Sequence, residues 1–400
     1  MSLNDTPRAN RLHIGIFGKR NSGKSSLINA LTEQEIALVS DTPGTTTDPV
    51  MKSMELHPIG PVVFIDTAGF DDEGDIGALR VRRTEDVLAK IDVAILILDH
   101  DGDNRQEKEW VEKLKSGKIP TIYVISKCDN GEKPEACKKW AGDFDPLVYI
   151  SAKTGRGLEE LRKAIESNVP EKLLREKILE DLIEEGGLAL LVMPQDIQAP
   201  KGRLILPQVQ TLRELLDIKC TAVSTTADGF RRTLDTLKKA PDLIITDSQC
   251  FDMVYKYKPE ESALTSFSVL FAAYKGDLDV FVEGASSLDY MTEKSRVLIA
   301  EACTHVPLSE DIGTVKIPRA LHQKFGDTIE ITNVYGNDFP NSEGLKKYDL
   351  IIHCGACMFN RKHVMSRIAV AEEAGVPITN YGIALAKLSG ILDKIKMVHY

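Results

Sequence analysis

The sequence has no excess of positive charge and no long apolar run, and each absence argues against a class of function. Its 60 Asp and Glu residues outnumber its 50 Lys and Arg residues, which gives a net charge of −10. Such a chain would be repelled by phosphate backbones, so broad affinity for nucleic acid is not expected. No apolar stretch is long enough to span a membrane, and residues 1–10 lack an apolar signal core. We therefore expect a cytoplasmic protein.

Cysteine is also scarce. There are seven cysteines, and an odd number in a cytoplasmic protein indicates thiols or metal ligands rather than a disulfide framework. The 400 residues are 42% hydrophobic and 28% charged, which is typical of a globular protein. A chain of this length is too long for one core, so we expect two or three domains.

The most informative segment is residues 18–25, which read Gly-Lys-Arg-Asn-Ser-Gly-Lys-Ser and match the phosphate-binding pattern G-x-x-x-x-G-K-[ST]. The apolar run at residues 11–17 predicts a buried strand before it, and helical spacing begins at Ser26. Lys24 is expected to reach the β and γ phosphates, and Ser25 to hold Mg²⁺. The residues predicted to contact the phosphates and their cations are Gly18, Asn21, Ser22, Gly23, Lys24, Ser25 and Ser26.

Two segments further along the chain have the composition of loops that sense a γ-phosphate. Residues 41–48 are rich in turn formers and hydroxyls, and Thr46 is our choice for the Mg²⁺ and γ-phosphate contact, with its two neighbouring threonines as alternatives. Asp66 and Gly69 follow a short buried strand. There Asp66 can bind Mg²⁺ through water, and the N–H of Gly69 can approach the γ-phosphate. The predicted catalytic residues are Lys24, Thr46, Asp66 and Gly69.

Two later strands end in segments that resemble the base-reading loops of the small GTPases, N-K-x-D and S-A-K. The first reads Ser-Lys-Cys-Asp over residues 126–129. The second comprises Ser151, Ala152 and Lys153. The resemblance implies that Asp129 accepts hydrogen bonds from guanine and that Lys127 packs over the base. Ser126 stands where that family has an asparagine, which ties this loop to the phosphate loop, so a lower affinity for GTP is expected.

Strands and helical patterns alternate over residues 11–168, which predicts a mostly parallel sheet with helices on both faces. The loops named above all follow strands, so they are expected to meet at the carboxyl edge of this sheet. Phe70 stands where Ras-like proteins have a water-orienting glutamine, which predicts slow hydrolysis. Asn21 resembles the K⁺-binding asparagine of the tRNA-modification and ribosome-assembly GTPases, so K⁺ is expected to stimulate hydrolysis.

The first predicted domain covers residues 1–170. The segment that follows it contains none of the nucleotide-binding motifs. Residues 171–186 have apolar positions at helical spacing before a Gly-Gly pair, which predicts a linker helix. A small α/β domain is expected at residues 187–260, with one of its strands at 204–206. It contains no catalytic cluster, and we interpret it as a dimerisation domain. Its two isolated cysteines, Cys220 and Cys250, are expected to be core thiols.

The remaining domain, residues 261–400, contains a group of metal-ligand residue types. Cys303 and His305 follow one predicted strand, and His353, Cys354 and Cys357 follow another. Because both groups lie at the carboxyl ends of strands, a parallel sheet could bring them together. Soft thiolates select zinc or iron–sulfur centres, and these residues alone leave both open.

The GTPase motifs combined with the C-x-H and H-C-x-x-C segments resemble the HydF family, the GTPases of [FeFe]-hydrogenase maturation, over essentially the whole chain. The resemblance implies a [4Fe–4S] cluster on Cys303, Cys354 and Cys357, with His305 and His353 as candidate fourth ligands. It implies a homodimer that receives a diiron precursor carrying CO and CN⁻ and delivers it to apo-[FeFe]-hydrogenase. The radical-SAM maturation enzymes are further implied partners.

The expected fold class is α/β: a P-loop GTPase domain with a mostly parallel sheet, a small α/β dimerisation domain and a parallel-sheet α/β domain for the cluster. Three other interpretations stay open. One is a GTPase of RNA modification or ribosome assembly with a structural zinc site, and another is a redox-sensing GTPase whose cluster gates hydrolysis. The third is an adaptor with a vestigial nucleotide site, suggested by Ser126 and Phe70, but the intact Lys24, Ser25 and Asp66 argue against it.

Overall fold

The computed structural model divides the chain into two compact units, Met1–Arg175 and Glu176–Tyr400. The residues that it describes are 11–32, 50–56, 59–67, 69, 84–98, 105–129, 144–170, 177–194, 204–302, 311–336, 338–356 and 359–398. None of the helices among these residues is both long and apolar enough to cross a bilayer.

The first unit contains a six-stranded sheet. Its strands are β1 (Leu12–Phe17), β2 (Val50–Leu56), β3 (Gly60–Asp66), β4 (Val93–Leu98), β5 (Thr121–Ile125) and β6 (Leu147–Tyr149). They lie in the order β2-β3-β1-β4-β5-β6, and every neighbouring pair is parallel except β2 and β3. The predicted mostly parallel sheet is confirmed. Strand β2 is not evident in the sequence, because its mixture of Met, Lys, Ser and Glu has no period that identifies a strand.

Helices cover both faces of this sheet, as predicted. They include α1 (Lys24–Thr32), α2 (Arg105–Ser116) and α3 (Leu158–Asn168). Leu27 of α1 and Leu161 of α3 belong to the apolar core on one face, whereas Trp110 of α2 packs against Phe17 in the core on the other. Strand β1 is therefore buried along its whole length, which explains why its sequence is a nearly continuous apolar run.

The second unit contains two four-stranded parallel sheets. The strands of one are β7 (Leu188–Val192), β8 (Thr221–Thr225), β9 (Leu243–Thr246) and β10 (Ala263–Ser266), and those of the other are β11 (Arg296–Glu301), β12 (Glu330–Tyr335), β13 (Leu350–His353) and β14 (Ile378–Asn380). Their orders are β10-β9-β7-β8 and β12-β11-β13-β14. The predicted parallel sheet behind the cysteine segments is confirmed.

The helices of the second unit surround both sheets. They are α4 (Leu206–Asp217), α5 (Phe230–Thr236), α6 (Phe251–Tyr257), α7 (Phe267–Lys275), α8 (Leu278–Ser286), α9 (Ile317–Phe325), α10 (Ser342–Leu345), α11 (Arg361–Ala374) and α12 (Tyr381–Leu388). One apolar core cluster runs from Ile178 to Val398 and takes side chains from both sheets. Helix α8 approaches β14 closely, since a Cβ on Gly284 would lie 2.0 Å from the carbonyl oxygen of Ile378. The two sheets therefore share a core rather than forming separate bodies.

Three expectations about this second unit differ from the structure. The linker helix predicted at residues 171–186 is absent from its described part, because residues 177–186 form turns. There the N–H groups of Ile178 and Leu179 donate to the carboxylate of Glu214, both at 2.8 Å, and this tertiary contact replaces helical hydrogen bonds. The strand predicted at 204–206 is also wrong. Helix α4 begins at Leu206, and Pro207, which has no N–H, suits the first turn of a helix.

The third difference concerns the boundary between the second and third predicted domains, placed at residues 260 and 261. Strand β10 lies after that boundary, yet it pairs in parallel with β9 of the preceding sheet from Ala263 to Ser266. The sheet attributed to residues 187–260 is therefore completed by later residues, and the boundary belongs further along the chain.

Candidate functional site

The phosphate-binding segment lies between β1 and α1, as the pattern predicts. The Nζ atom of Lys24 donates to the carbonyl oxygens of Gly18 and Lys19 at 2.9 and 2.8 Å. Gly23 has a φ of +98°, a conformation that L side chains rarely adopt, and Asn21 is left-handed at φ +57° with an exposed side chain. The ammonium group therefore lies against the loop's own carbonyls, at the start of a helix whose N-terminus favours anions.

The predicted magnesium corner is assembled from α1 and the end of β3. Ser25 Oγ donates to Asp66 Oδ2 at 2.8 Å. Burial raises the pKa of Asp66, and the Ser25 hydrogen bond and the charges of Lys24 and Lys52 oppose part of that shift. Hydroxyl and carboxylate oxygens are ligands that Mg²⁺ prefers, so these two residues fit the ion.

The two switch predictions have different outcomes. Thr46 lies outside the described residues. Gly69 is described and half-buried, three residues after Asp66. Between them, Thr67 Oγ1 donates to the carbonyl oxygen of Ile16 at 2.7 Å. This hydrogen bond fixes the chain that leaves β3 against the end of β1, next to the phosphate loop.

The base-reading segments also contact one another. Ser151 Oγ donates to Asp129 Oδ1 at 2.7 Å, and the N–H of Cys128 donates to the carbonyl oxygen of Ile150 at 2.9 Å. Cys128 is buried, whereas Lys127 and Asp129 on either side of it are exposed. The carboxylate of Asp129 is thus held in place by Ser151 on an accessible surface, where a base could bind. Ala152 is half-buried and Lys153 is exposed.

Ser126 performs the connection that an asparagine was expected to make. Its Oγ donates to the carbonyl oxygen of Ser22 at 2.6 Å, which ties the base-reading segment to the phosphate loop. The departure from the asparagine of the motif therefore does not leave the two loops unconnected.

Sequence reasoning missed two charged residues near this site. Lys52 of β2 is 8% exposed, and its Nζ has no hydrogen-bond partner within the part of the chain that the structure describes. Glu107 of α2 is fully buried and pairs with Lys19 at 3.0 Å. A lone lysine in a short strand and a glutamate in an amphipathic helix have no sequence pattern that would identify them.

The second site lies at the carboxyl edge of the last sheet. Strands β11 and β13 are parallel neighbours, with Ala300 paired to His353. The N–H of Ala302 donates to the sulfur of Cys354 at 3.1 Å, and the N–H of Ala356 donates to the same sulfur at 3.4 Å. The strand preceding Cys303 in the sequence and the strand preceding Cys354 therefore end side by side.

Three of the five predicted metal ligands, Cys303, His305 and Cys357, lie outside the described residues. Within the part of the chain that is described, no three His, Cys, Asp or Glu side chains form a group that could hold a metal ion. Residues 353–360 are called the cysteine loop below. Its described members include Cys354, whose sulfur accepts two backbone N–H groups, an environment that suits a thiolate ligand.

His353, a candidate fourth ligand, has both ring nitrogens engaged. Its Nε2 accepts a hydrogen bond from Arg367 at 2.9 Å, which fixes the proton on Nδ1, and Nδ1 donates to the carbonyl oxygen of Cys354 at 2.8 Å. Burial, with a further contribution from the charge of Arg367, lowers the pKa of His353 to about 3. The ring is therefore neutral and already holds the cysteine loop, so metal binding would require it to lose one of these bonds.

Arg367 of α11 was not identified from the sequence. Its guanidinium lies 4.8 Å from the ring centre of Phe339 and 4.6 Å from that of Phe359, and it also donates to the carbonyl oxygen of Gly336. Burial lowers the pKa of Arg367 to about 10, so it remains charged at neutral pH. Two buried acidic residues, Glu301 and Asp311, are also hydrogen-bonded. Glu301 accepts a hydrogen bond from the hydroxyl of Tyr381 at 3.3 Å, and Asp311 accepts one from the N–H of Thr314 at 2.8 Å.

Family models match three successive parts of the chain. Residues 13–127 match the 50S ribosome-binding GTPase model, residues 178–276 the hydrogen maturase F dimerization domain, and residues 279–397 the hydrogen maturase F tetramerization domain. The second match extends past strand β10, in agreement with the pairing of that strand.

Individual relatives match a part of the chain. The tRNA modification GTPase MnmE of Prochlorococcus marinus (strain NATL1A) is 40% identical over 153 residues, which are 38% of this chain and 33% of that protein. GTPase Der of Campylobacter jejuni (strain RM1221) is 34% identical over 164 residues, 38% of this chain and 35% of that protein. The chain thus spans about a third of the length of these curated relatives.

Solved structures are also similar over this part of the chain. Era of Aquifex aeolicus bound to GDP and AlF4⁻ has a TM-score of 0.36 and 27% identity, covering 40% of this chain and 56% of that one. The G domain of the T. maritima FeoB iron transporter has a TM-score of 0.32 and 24% identity, covering 40% and 99%.

The first unit thus carries a GTPase domain with its phosphate, magnesium and base-reading segments assembled. The second unit is matched almost throughout by two maturase domains. With this domain order, the chain belongs to the hydrogen maturase F (HydF) family.

Proposed function

We propose that the protein is a GTPase of hydrogenase maturation that holds a [4Fe–4S] cluster and delivers a diiron precursor to apo-[FeFe]-hydrogenase. The hydrogen bond from the N–H of Ala302 to the sulfur of Cys354 is the observation that carries this proposal. It joins the two chain segments that contain the predicted cysteine ligands, at the edge of a parallel sheet where ligands bind.

The nucleotide is bound by groups already positioned in the first unit. Lys24 exchanges its two carbonyl partners for the β and γ phosphates. Ser25 and Asp66 would hold Mg²⁺, and the ion would supply positive charge beside the phosphates. Asp129, oriented by Ser151, accepts the two hydrogen bonds that guanine offers and adenine does not. Thr46 and Gly69 contact the γ-phosphate and are released after hydrolysis.

The rate and the cation dependence of hydrolysis are part of the same proposal. Without a glutamine at the position of Phe70, the attacking water lacks a side chain to orient it, so hydrolysis is slow. The exposed, left-handed Asn21 is available to bind K⁺ beside the phosphates. Hydrolysis measured in K⁺ should therefore be faster than hydrolysis measured in Na⁺ at equal ionic strength.

The cluster is held by Cys303, Cys354 and Cys357. The two backbone N–H groups on the Cys354 sulfur stabilise a thiolate, and the buried Arg367 adds positive charge nearby. Three thiolate ligands would leave room for a further, exchangeable ligand, which suits a carrier rather than a purely structural site. His305 is the preferred candidate for that position, because both ring nitrogens of His353 are engaged.

The dimerization and tetramerization matches support an oligomer, for which we propose a homodimer formed through residues 178–276. Its partners are apo-[FeFe]-hydrogenase and the radical-SAM maturation enzymes, which supply the diiron cargo with its CO and CN⁻ ligands. GTP hydrolysis drives the exchange of these partners rather than chemistry on the cargo.

The proposal is tested by two variants analysed side by side after anaerobic reconstitution with iron and sulfide. Lys24→Ala should lower GTP hydrolysis by about a hundredfold or more while iron content and the EPR spectrum stay as in the wild type. Cys354→Ser should lose the cluster and keep GTP hydrolysis. A colourless wild-type protein that binds zinc would exclude the carrier function and favour a GTPase with a structural metal.

A further inference from the structure

A buried lysine of helix α7 contacts the cysteine loop. Lys275, the last residue of α7, is 2% exposed. Its Nζ donates to the carbonyl oxygens of Ala356 and Phe359, at 3.2 and 2.8 Å. Removing an ammonium group from water is unfavourable unless hydrogen bonds and negative charge offset it. The sequence between residues 267 and 275 gives no signal for this contact, since 81 positions separate Lys275 from Ala356.

The carbonyl oxygens that Lys275 binds belong to the part of the loop around Cys357 in the sequence. The N–H of Phe359 donates to the carbonyl oxygen of Ala356 at 3.0 Å, so the two residues that Lys275 contacts are also hydrogen-bonded to each other. Ala356 has a φ of +51°, which is unfavourable for a residue with a Cβ. Lys275 thus binds the carbonyl oxygen of a residue in an unfavourable conformation, and this residue directly precedes Cys357 in the sequence.

A second cation connects the same two segments in the opposite direction, from the start of α11 to the end of α7. Arg361, the first residue of α11, donates to the carbonyl oxygens at the end of α7, namely those of Ala273, Tyr274 and Gly276, at 3.3, 3.2 and 2.6 Å. Each segment therefore supplies a cation to the carbonyls of the other. We call Lys275 and Arg361 with these acceptors the reciprocal clasp.

The charge of Lys275 has a consequence for what the loop can hold. Thiolates and the iron–sulfur clusters they bind are anionic, and positive charge nearby stabilises both the thiolate and the reduced form of a cluster. The position and the charge of Lys275 thus both favour an anionic, thiolate-bound cluster at this loop.

We infer that Lys275 is a positioning residue of the cluster site. It holds the carbonyl groups of Ala356 and Phe359, which flank Cys357 in the sequence, and it supplies positive charge that retains the cluster. This inference rests on the proposed cluster. It also means that a residue of the segment matched as a dimerization domain controls a ligand loop in the segment matched as a tetramerization domain.

The test compares Lys275→Met, which removes charge and donors at similar length, with Lys275→Arg, which keeps the charge. The matched control is Lys258→Met. Lys258 also donates to three backbone carbonyls, those of Pro259, Glu260 and Ser262, but all of them lie within four residues of it. Full-length proteins are reconstituted anaerobically, and the loss of iron to a chelator and the midpoint potential of the cluster are measured.

Lys275→Met should lose iron at least about tenfold faster than wild type, with a midpoint potential shifted to a more negative value. Lys275→Arg should lose iron faster than wild type but keep its potential, and Lys258→Met should match wild type in both. Wild-type iron loss and potential in Lys275→Met would overturn the inference while leaving the proposed cluster intact.

Two further outcomes are decided by the same experiment. If circular dichroism shows that Lys275→Met does not fold, Lys275→Arg decides, and iron loss at the wild-type rate in that variant overturns the inference. If the wild-type protein itself takes up no iron, the proposed cluster fails and the inference fails with it.

Discussion

The two sites use cationic side chains in opposite ways. In the nucleotide site, Lys24 binds carbonyl oxygens of its own loop, five and six residues away, where incoming phosphates can replace them. In the cysteine site, Lys275, Arg361 and Arg367 bind carbonyls or a ring nitrogen of segments that are distant in the sequence. The first arrangement allows a ligand to be exchanged, whereas the second holds a loop in one conformation.

The pKa values of one titratable group in each site also differ in direction. Burial raises the pKa of Asp66, so the nucleotide site holds a carboxylate whose negative charge a bound cation would stabilise. Burial lowers the pKa of His353 to about 3, so the cysteine site contains a neutral ring whose hydrogen bonds are already made. The charge of Asp66 can thus be stabilised further by a cation, whereas both ring nitrogens of His353 are already hydrogen-bonded.

The largest expected effect comes from removing a cation that holds the cysteine loop. Arg367→Ala leaves the Nε2 of His353 and the carbonyl of Gly336 without their donor and opens a cavity between two phenylalanine rings. We expect the second unit to lose about 3 kcal/mol of its free energy of unfolding or more. Urea unfolding followed by circular dichroism measures this loss.

The control for that prediction is Arg296→Ala. Arg296 is 51% exposed and pairs with Glu330 at 3.0 Å, and such surface pairs contribute about 1 kcal/mol or less. Both tryptophans, Trp110 and Trp140, belong to the first unit, so their fluorescence should show an unchanged transition for that unit. Equal destabilisation by the two variants would contradict the role of Arg367 in holding the cysteine loop.

The second prediction concerns the reactivity of Cys250, a cysteine outside the cysteine loop. Burial, with a contribution from Asp247, raises the pKa of the Cys250 thiol to about 11 from an ordinary value of 9.0. At pH 8 its alkylation should therefore be about a hundredfold slower than that of an unperturbed thiol, and the rate should rise as the pH approaches 11. Mass spectrometry of the labelled peptides measures the rates. Rapid labelling at pH 8 would show that this thiol is not protected.

The third prediction concerns exchange at the nucleotide site. The ammonium of Lys52 is buried, and its charge acts on Asp66, so it competes with Mg²⁺ for the same carboxylate. Lys52→Met should raise the affinity for Mg²⁺ by about tenfold, or about 1.4 kcal/mol, and slow the release of GDP. Lys52→Arg, which keeps the charge, should resemble wild type. Release of a fluorescent GDP analogue at several Mg²⁺ concentrations measures both quantities, and equal affinities in the two variants would refute the competition.

The smallest effect is expected at the connection between the two nucleotide loops. Ser126→Ala removes the hydrogen bond to the carbonyl of Ser22 and should weaken GDP binding by about fivefold, or about 1 kcal/mol. Ser126→Asn introduces the residue that the motif usually has and should restore the connection. Titration calorimetry compares the three proteins. Unchanged affinity in the alanine variant would mean that the connection does not contribute to binding.

Features of the molecule that depend on local pattern could be predicted from the sequence. The phosphate loop could be predicted because the glycine spacing and the flanking strand and helix are encoded within a short segment, residues 11–32. The meeting of β11 and β13 followed from a general rule about parallel sheets, applied to two apolar runs that precede cysteines. In both cases the chemistry lies next to the element that positions it.

What could not be predicted depends on long-range contacts between common residue types. Lys52, Lys275 and Arg367 have ordinary sequence surroundings, and only the fold brings them against the two sites. The turns at residues 177–186 were missed for the same reason, since the helical spacing there competes with a carboxylate from α4 that the sequence does not reveal. Local propensity is overridden where a buried polar contact satisfies the backbone instead.

The reciprocal clasp affects how truncated versions of this protein should be designed. The maturase segments meet between residues 276 and 279, and Lys275 lies on one side of that junction while Cys354 lies on the other. A fragment limited to residues 279–397 would carry every candidate cysteine ligand yet lack the ammonium group and the carbonyls that Arg361 binds. Failure of such a truncation to retain iron would therefore reflect where the gene was cut, not the capacity of its thiols.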